Sequence, residues 1–240
     1  MITYFKLFLI VIHTIFCSIL ALIFALIERR FIVYFWISKL FSSGILLITG
    51  IKLKVEGLEN IDPKSTYVFI SNHASQFDIT ALQYGIPNRL GMVYKKELSK
   101  IPLFGWQLAA GPYVSIDRKN TESAMKSIQK AKHTMEQKNV SILVFAEGTR
   151  SKDGQVQEFK RGAFKLASSV GFPIVPITIV GSSKIMPKGK LKFNKGEIIM
   201  RIDSPIPTDE IKSRQDEIAM MNKIRKIIID NFNLEASNSN

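Results

Sequence analysis

The stretch from Leu7 to Ile27 constrains the fold more than any other feature of the sequence, because it contains no charged side chain. As an α-helix at about 1.5 Å per residue it spans roughly 30 Å, which matches the hydrocarbon core of a bilayer. A cleaved signal peptide is the alternative, but only Lys6 precedes the run as a charge, and Glu28-Arg29-Arg30 follows it instead of small residues. The run therefore predicts a membrane-anchoring helix.

A second apolar stretch follows, from Phe31 to Thr49, and it is interrupted by Lys39 and the Ser42-Ser43-Gly44 cluster. This pattern favours an interfacial or re-entrant helix over a second clean span, and two buried core helices are the remaining alternative. We predict a membrane anchor over residues 1–49, located at the cell membrane and bound to membrane lipids. The catalytic part is expected on the cytoplasmic face.

The charge balance and the cysteine content narrow the possible functions. The 240 residues contain 33 Lys and Arg against 20 Asp and Glu, a net charge of +13, which suits anionic lipids, phosphate-bearing ligands, acidic carriers or nucleic acid. Cys17, inside the apolar run, is the only cysteine. A disulfide framework and paired thiols for metal or redox chemistry are therefore excluded.

From about residue 51 the pattern changes to short strands that alternate with helices, which is typical of an α/β fold. We predict one α/β domain over residues 50–234, with a mixed sheet flanked by helices, and a disordered tail over residues 235–240. The clearest helices are Thr121 to Lys138 and Asp209 to Phe232. The predicted strands are Ile51–Val55, Thr66–Ser71, Leu90–Tyr94, Tyr113–Ile116, Ser141–Phe145, Ile174–Val180 and Glu197–Ile202.

A histidine lies at the end of one buried strand. The run Tyr67-Val68-Phe69-Ile70 leads directly into Ser71-Asn72-His73, and Asp78 follows five residues later. On one continuous helix, positions five apart are separated by about 140°, so the two side chains meet only if His73 precedes the helix that carries Asp78. Placed so, the carboxylate fixes one imidazole nitrogen while the other accepts a proton. The pair predicts a catalytic general base.

No protein nucleophile accompanies this base. The sequence contains no Gly-x-Ser-x-Gly elbow, and Cys17 lies in the apolar run, so Ser75 is the only nearby alternative for a covalent intermediate. A substrate hydroxyl that attacks an activated acyl group directly needs only a base. A thioester suits this reaction, because its thiolate leaves with a pKa near the 8.5 or so of cysteine.

A second strand also ends in polar residues. The strand from Ile142 to Phe145 runs into Ala146-Glu147-Gly148-Thr149-Arg150-Ser151. Gly148 permits close backbone approach, and the hydroxyl of Thr149 and the guanidinium of Arg150 are suited to a phosphate, while Glu147 can orient Arg150 or contact an acceptor hydroxyl. A solvated turn is the alternative for this hexapeptide alone.

Further cations follow other predicted elements. Lys160 and Arg161 open a predicted helix, whose N-terminal end also favours an anion. Lys96 follows the strand that ends at Tyr94, and Arg118 follows the strand that ends at Ile116. Each of these fragments alone is equally compatible with a solvated basic face.

Taken together, these fragments resemble, in order, the four sequence blocks of the glycerolipid acyltransferase family over roughly residues 50 to 205. The blocks are Asn72-His73-Ala74-Ser75-Gln76-Phe77-Asp78; Lys96-Glu97-Leu98 with Pro102, Gly105, Trp106 and Asp117-Arg118; Phe145-Ala146-Glu147-Gly148-Thr149-Arg150-Ser151; and Pro173-Ile174-Val175-Pro176.

The resemblance implies acyl transfer from a thioester, acyl-CoA or acyl carrier protein, to the 2-hydroxyl of a 1-acyl-glycerol-3-phosphate, with no cofactor or metal. It implies that His73 and Asp78 form the catalytic pair and that the block at Pro176 borders the donor site. It also implies substrate binding by a set of phosphate-side residues: Lys96, Arg118, Glu147, Gly148, Thr149, Arg150 and Lys160.

Two other functions stay open from the sequence. Within the same chemistry, the acceptor can be glycerol 3-phosphate, another lysophospholipid or a lipid A precursor. In a different class, the chain can be a catalytically silent lipid-binding protein or can use its basic surface to bind nucleic acid. We expect neither of the last two, because His73 and Asp78 are both present and both strand-end sites would then lack an explanation.

Overall fold

Two long apolar helices open the chain in the computed structural model, which describes residues 2–116, 121–189 and 193–238. They are α1 (Ile2–Ile27) and α2 (Ile32–Thr49), and within the described ranges these two are long and apolar enough to cross a membrane. At the start of α2, the Glu28 carboxylate accepts hydrogen bonds from the backbone N–H of Ile32 (3.0 Å) and Val33 (2.8 Å). The two helices favour membrane association, in agreement with the sequence prediction.

The two N-terminal helices also pack on the domain that follows. Ile45 and Leu46 of α2 belong to the same buried cluster as Phe69 of the central sheet. The Tyr34 hydroxyl donates a hydrogen bond to the carbonyl of Gln107, 73 residues later in the chain (3.2 Å). The anchor and the domain therefore share one hydrophobic core.

The described residues after the anchor form a seven-stranded sheet in the order β1-β7-β6-β2-β5-β3-β4. Its strands are β1 (Lys52–Glu56), β2 (Val68–Ser71), β3 (Leu90–Lys95), β4 (Val114–Ile116), β5 (Ser141–Phe145), β6 (Ile174–Val180) and β7 (Glu197–Ile202). Every neighbouring pair is parallel except β6 and β7, which are antiparallel. This arrangement confirms the predicted mixed α/β sheet.

Helices cover both faces of this sheet. They are α3 (Phe77–Gly85), α4 (Phe104–Ala110), α5 (Thr121–Lys138), α6 (Arg161–Ser169), α7 (Ser182–Ile185) and α8 (Arg214–Asn238). Successive residues of β2 point to opposite faces: Phe69 packs with Leu82 of α3, whereas Ile70 packs with Ile224 of α8. All four residues of β2 are buried, which explains why the strand is apolar up to its last residue, Ser71.

Helix α8 extends into the segment predicted to be a disordered tail and continues to Asn238. Glu235 is 6% exposed, and its carboxylate lies 3.3 Å from the Arg201 guanidinium on β7. An ion pair between residues 34 positions apart has no local sequence signal. The last two residues of the predicted tail lie outside the described residues.

Asn72 continues the central strand through its side chain. Its amide N–H donates to the Ile179 carbonyl of β6 and its amide oxygen accepts from the Ile179 N–H, both at 2.8 Å. These bonds replace a backbone ladder at the point where β2 ends. Since Asn72 is 2% exposed, water does not compete for these groups.

Replacing Asn72 by alanine is expected to lower the free energy of unfolding by about 1–3 kcal/mol, because both Ile179 backbone groups lose their partner in a buried place. Asn60→Ala is the matched control, since half-buried Asn60 donates one amide bond to the Ile202 carbonyl (2.8 Å). Urea unfolding in detergent micelles measures both variants. Equal losses for the two variants would contradict the proposed importance of the paired bonds.

Candidate active site

His73 and Asp78 meet because β2 ends before the histidine and α3 begins before the aspartate. The imidazole Nδ1 lies 2.8 Å from Asp78 Oδ2, and the carboxylate lies in the first turn of α3. The same oxygen accepts the backbone N–H of Ala74 (2.7 Å) and of Ser75 (2.8 Å). The structure thus joins the two residues in the manner that the five-residue spacing requires.

The surroundings of His73 determine which nitrogen is free to react. Asp78 is fully buried and acts as an acceptor, so Nδ1 of a neutral imidazole carries the hydrogen and the lone pair lies on Nε2. The ring stacks on Phe145 with its centroid 3.8 Å away and 15° between the planes. The His73 side chain is 12% exposed. This geometry is suited to proton transfer at Nε2.

The loop after β5 holds the backbone of His73 from two sides. Ser71 pairs with Phe145 in the parallel ladder, so the residues that follow the two strands are neighbours. The His73 N–H donates to Glu147 Oε1 (3.1 Å), and the His73 carbonyl accepts from the Ser151 N–H (2.7 Å). Two blocks that are 74 residues apart in the chain therefore form one site.

Glu147 is buried, whereas its sequence context predicts a position beside Arg150 or an acceptor hydroxyl. The residue is 2% exposed, so its carboxylate lies behind the backbone of His73 and away from solvent. Burial raises its pKa from 4.5 to about 7, the Asp78 charge adds to this, and hydrogen bonds from the His73 and Gln157 backbones act in the opposite direction. Contact with an acceptor hydroxyl is incompatible with this burial.

Ser75 is also buried, and its hydroxyl donates to the carbonyl of Met186 (2.9 Å). This bond joins the turn that precedes α3 to the segment after α7. A hydroxyl that is buried and already bonded to a carbonyl does not face a substrate. The structure therefore argues against Ser75 as the covalent nucleophile that the sequence left open.

Three of the predicted phosphate-side residues form the turn that follows Glu147. Gly148 has φ +70°, and a Cβ there would lie 3.1 Å from Lys160 Cδ, so glycine lets the Lys160 side chain cross the loop. Thr149 is exposed and Arg150 is half-buried. Lys160 precedes α6, and its N–H donates to the Ala146 carbonyl (2.7 Å). The turn thus places a hydroxyl, a guanidinium and an ammonium on one loop system.

Of the other two predicted cations, Lys96 stands apart from this loop. Lys96 follows β3 and is exposed at the same edge of the sheet as His73. Because β5 lies between β2 and β3, the two strands are separated by roughly 10 Å. Arg118 lies outside the described residues.

Lys188 also lies at the loop after β5 and was not predicted from the sequence. Its ammonium donates hydrogen bonds to the Arg150 carbonyl (2.6 Å) and to the Thr149 hydroxyl (3.2 Å). Lys188 follows α7 by three residues, close to Met186, which binds Ser75. A lysine in a loop that no strand-end pattern marks has no signal of its own in a single sequence.

An apolar cavity lies between the N-terminal helices and the sheet. Its walls include residues of α1, α2, β3 and α4, namely Cys17, Ala21, Ile37, Phe41, Met92 and Leu108. Ile79 of α3 also lines it and directly follows Asp78. The cavity therefore reaches the first turn of α3, which carries Asp78 of the His73–Asp78 dyad.

Comparisons with known proteins point to one family. A family model described as Acyltransferase matches residues 52–180. The bovine 1-acyl-sn-glycerol-3-phosphate acyltransferase alpha is 30% identical over 217 residues, which cover 90% of this chain and 75% of the bovine protein. The coconut (Cocos nucifera) 1-acyl-sn-glycerol-3-phosphate acyltransferase is 34% identical over 166 residues, which cover 69% of this chain and about half (53%) of that protein.

A solved structure supports the fold independently. The crystal structure of PlsC, the 1-acyl-sn-glycerophosphate acyltransferase from Thermotoga maritima, superposes with a TM-score of 0.81 at 24% identity. The match covers 96% of this chain and 92% of that one, so it includes the two N-terminal helices as well as the sheet. From the family match and the identity shared with the bovine enzyme, the chain belongs to the acyltransferase family.

Proposed function

We propose that this chain transfers a fatty acyl group from an acyl thioester to the 2-hydroxyl of a 1-acyl-glycerol-3-phosphate, which gives phosphatidic acid. The observation that carries the proposal is the 2.8 Å contact between His73 Nδ1 and Asp78 Oδ2, which leaves Nε2 as the base. The names of the bovine and coconut relatives support the choice of acceptor. A panel of phosphorylated and lysolipid acceptors tests this choice.

In the proposed reaction, Nε2 of His73 takes the proton of the 2-hydroxyl while the oxygen attacks the thioester carbonyl carbon. The tetrahedral intermediate then collapses, the C–S bond breaks, and the leaving sulfur takes the proton from the imidazolium. Asp78 stabilises the imidazolium between these steps, because its buried carboxylate is bonded to Nδ1. The products are an ester and a free thiol.

The phosphate of the acceptor is proposed to bind at the loop after β5. Arg150 can form a forked, charge-assisted pair with phosphate, and Thr149 offers a hydroxyl. Lys188 adds a third group, because its ammonium already donates hydrogen bonds to the Thr149 hydroxyl and the Arg150 backbone carbonyl. Gly148 and Lys160 complete the proposed binding loop. Lys96, farther along the sheet edge, and Arg118 remain proposed contacts.

The fatty chain of the acceptor is proposed to occupy the apolar cavity between α1, α2 and the sheet, and the acceptor is proposed to enter from the bilayer. Acyl-CoA or acyl carrier protein is the proposed donor, and the +13 net charge suits either acidic molecule. No further cofactor enters this proposal. The domain is proposed to work on the cytoplasmic face, where both donors are found.

Glu147 is proposed to position His73 and to have no substrate contact of its own. Its Oε1 accepts the His73 N–H, and Ser151 binds the His73 carbonyl. Together these bonds fix the backbone from which the imidazole projects. The raised pKa of Glu147 makes this support dependent on pH.

Replacing His73 by alanine is expected to lower kcat by about 10²- to 10⁴-fold, the usual contribution of a general base. The assay follows acceptor-dependent thiol release and phosphatidic acid formation in detergent or lipid vesicles. His133→Ala is the control, because His133 is exposed on α5. A folded His73→Ala protein with the wild-type rate would refute the base assignment.

The Glu147→Gln variant is expected to change how stability depends on pH. Since the folded-state pKa is about 7 against an ordinary 4.5, the unfolded chain ionises first as the pH rises. Folding therefore loses up to about 3 kcal/mol between pH 4.5 and 7, and the loss is constant above that range. Glutamine retains an acceptor for the His73 N–H but does not ionise.

Urea unfolding of the two proteins across this pH range measures the effect. The stability of the wild type relative to Glu147→Gln should fall as the pH rises from 4.5 to 7, and then stay level. Parallel curves for the two proteins would show that Glu147 keeps an ordinary pKa. The dependence of kcat on pH should likewise lose the titration of Glu147 in the Glu147→Gln protein.

Replacing Lys188 by glutamine is expected to raise the KM for lysophosphatidic acid about tenfold, the effect of losing one charge-assisted contact. A monoacylglycerol acceptor, which lacks the phosphate, should show no change in KM. Lys184→Gln is the matched control, because Lys184 is exposed on α7. Equal losses with both acceptors would mean that Lys188 only shapes the loop.

A further inference from the structure

Large apolar side chains are exposed in one short segment outside the two N-terminal helices. Among the described residues after Thr49, the exposed large apolar side chains are Leu58, Tyr84, Leu98, Ile101, Trp106 and Leu234. Half of this set lies within the nine residues from Leu98 to Trp106. Single exposed apolar residues need no explanation, but a cluster of this kind marks an interaction surface.

The segment that carries these three residues is compact. The 3₁₀ turn Lys96–Lys100 leads into α4, and the Gly105 N–H donates to the Ile101 carbonyl (2.7 Å). A Cβ at Gly105 would collide with the Leu98 carbonyl, so the two pieces approach each other at backbone distance. Between them, Leu103 adopts a strained turn with φ +59°. The exposed side chains therefore project from a well-packed base.

Trp106 and Ile101 are exposed, whereas other residues of the same segment face inward. Trp106 is 51% exposed and Ile101 43%, whereas Leu108 is buried beside the N-terminal helices. Leu98 and Phe104 line the same apolar cavity as Ala21 of α1. One side of the segment thus packs against the membrane-anchoring helices, and the exposed apolar surface adjoins them.

Cations accompany the apolar side chains. Residues 95 to 100 read Lys-Lys-Glu-Leu-Ser-Lys, so three lysines against one glutamate give 3 − 1 = +2. Lys95, Lys96 and Lys100 are exposed, and Lys95 lies 3.5 Å from Glu97. A tryptophan beside lysines is typical of the interface between headgroups and acyl chains, and the charge complements anionic lipids.

The segment leaves the sheet at the edge that carries the dyad. β2, β5 and β3 are parallel neighbours, so their carboxyl ends lie on one side. His73 follows β2 and the segment follows β3. Whatever binds the segment therefore faces the same edge of the sheet as His73.

We propose that Leu98, Ile101 and Trp106 form a second bilayer contact, which inserts at the headgroup level of an anionic lipid surface beside the N-terminal helices. A lipid surface fits better than a protein partner, because the patch adjoins the most apolar helices of the chain and carries lysines at its margin. The contact sets the orientation of the sheet, with its catalytic edge toward the membrane. It does not depend on the proposed acceptor.

The two tryptophans of the chain, Trp36 and Trp106, provide the test. A Trp36→Phe protein in phosphatidylcholine and phosphatidylglycerol vesicles leaves Trp106 as the only emitter. We expect a blue-shifted emission, and a fluorescence that falls about twofold with lipids brominated near the headgroup and less with lipids brominated near the chain ends. If Trp36→Phe loses helical circular dichroism, Trp36→Tyr takes its place.

Two substitutions made in the Trp36→Phe protein serve as a matched pair. Ile101 and Leu58 are both 43% exposed, and only Ile101 belongs to the patch. Ile101→Glu should remove most of the quenching of Trp106 by headgroup-brominated lipids, whereas Leu58→Glu should leave it unchanged. The Trp106→Phe protein reports Trp36, so failure of the anchor itself is recognised separately.

Two results would overturn the proposal. The first is an emission of Trp106 that stays at the wavelength of a solvated indole and is quenched by iodide, with no effect of brominated lipids. The second is a Trp106 protected from both iodide and brominated lipids, which would identify a protein contact on this surface.

Discussion

One buried oxygen organises the catalytic end of this molecule. Asp78 Oδ2 accepts hydrogen bonds from His73 Nδ1 and from the backbone N–H of Ala74 and Ser75. The same atom therefore turns the chain from β2 into α3 and orients the imidazole. A carboxylate in the first turn of a helix is also favoured by the helix dipole. The fold and the chemistry depend on this acceptor together, so losing it would disturb both.

The precision of the site comes from the sheet more than from the short segment that joins β2 to α3. β2 lies between β5 and β6, and both neighbours bind the residues that follow it: Asn72 is paired with Ile179, and His73 is held by Glu147. These partners are 107 and 74 residues away in the chain. Parallel strands with one common edge are what bring such distant groups to a single histidine.

Sequence patterns predicted the elements whose causes are local. The bounds of β5, β6, β7 and α5 were predicted to the residue, because buried strands and amphipathic helices have their own periodicity. The meeting of His73 with Asp78 followed from spacing and strand-end position. Lys188, the buried side of Glu147 and the extension of α8 depend on long-range packing, which a single sequence does not reveal.

The apolar cavity, the His73–Asp78 dyad and the loop that carries Arg150 follow one another in the same order as the fatty chain, the 2-hydroxyl and the phosphate of the proposed acceptor. Asp78 is followed by Ile79, which lines the apolar cavity, whereas the backbone of His73 is bound to the loop that carries Arg150. The cavity proposed for the fatty chain and the loop proposed for the phosphate are therefore separate, and both adjoin the proposed base. In the proposed acceptor the 2-hydroxyl also lies between its chain and its phosphate. Fixing both ends would leave this hydroxyl as the group within reach of Nε2.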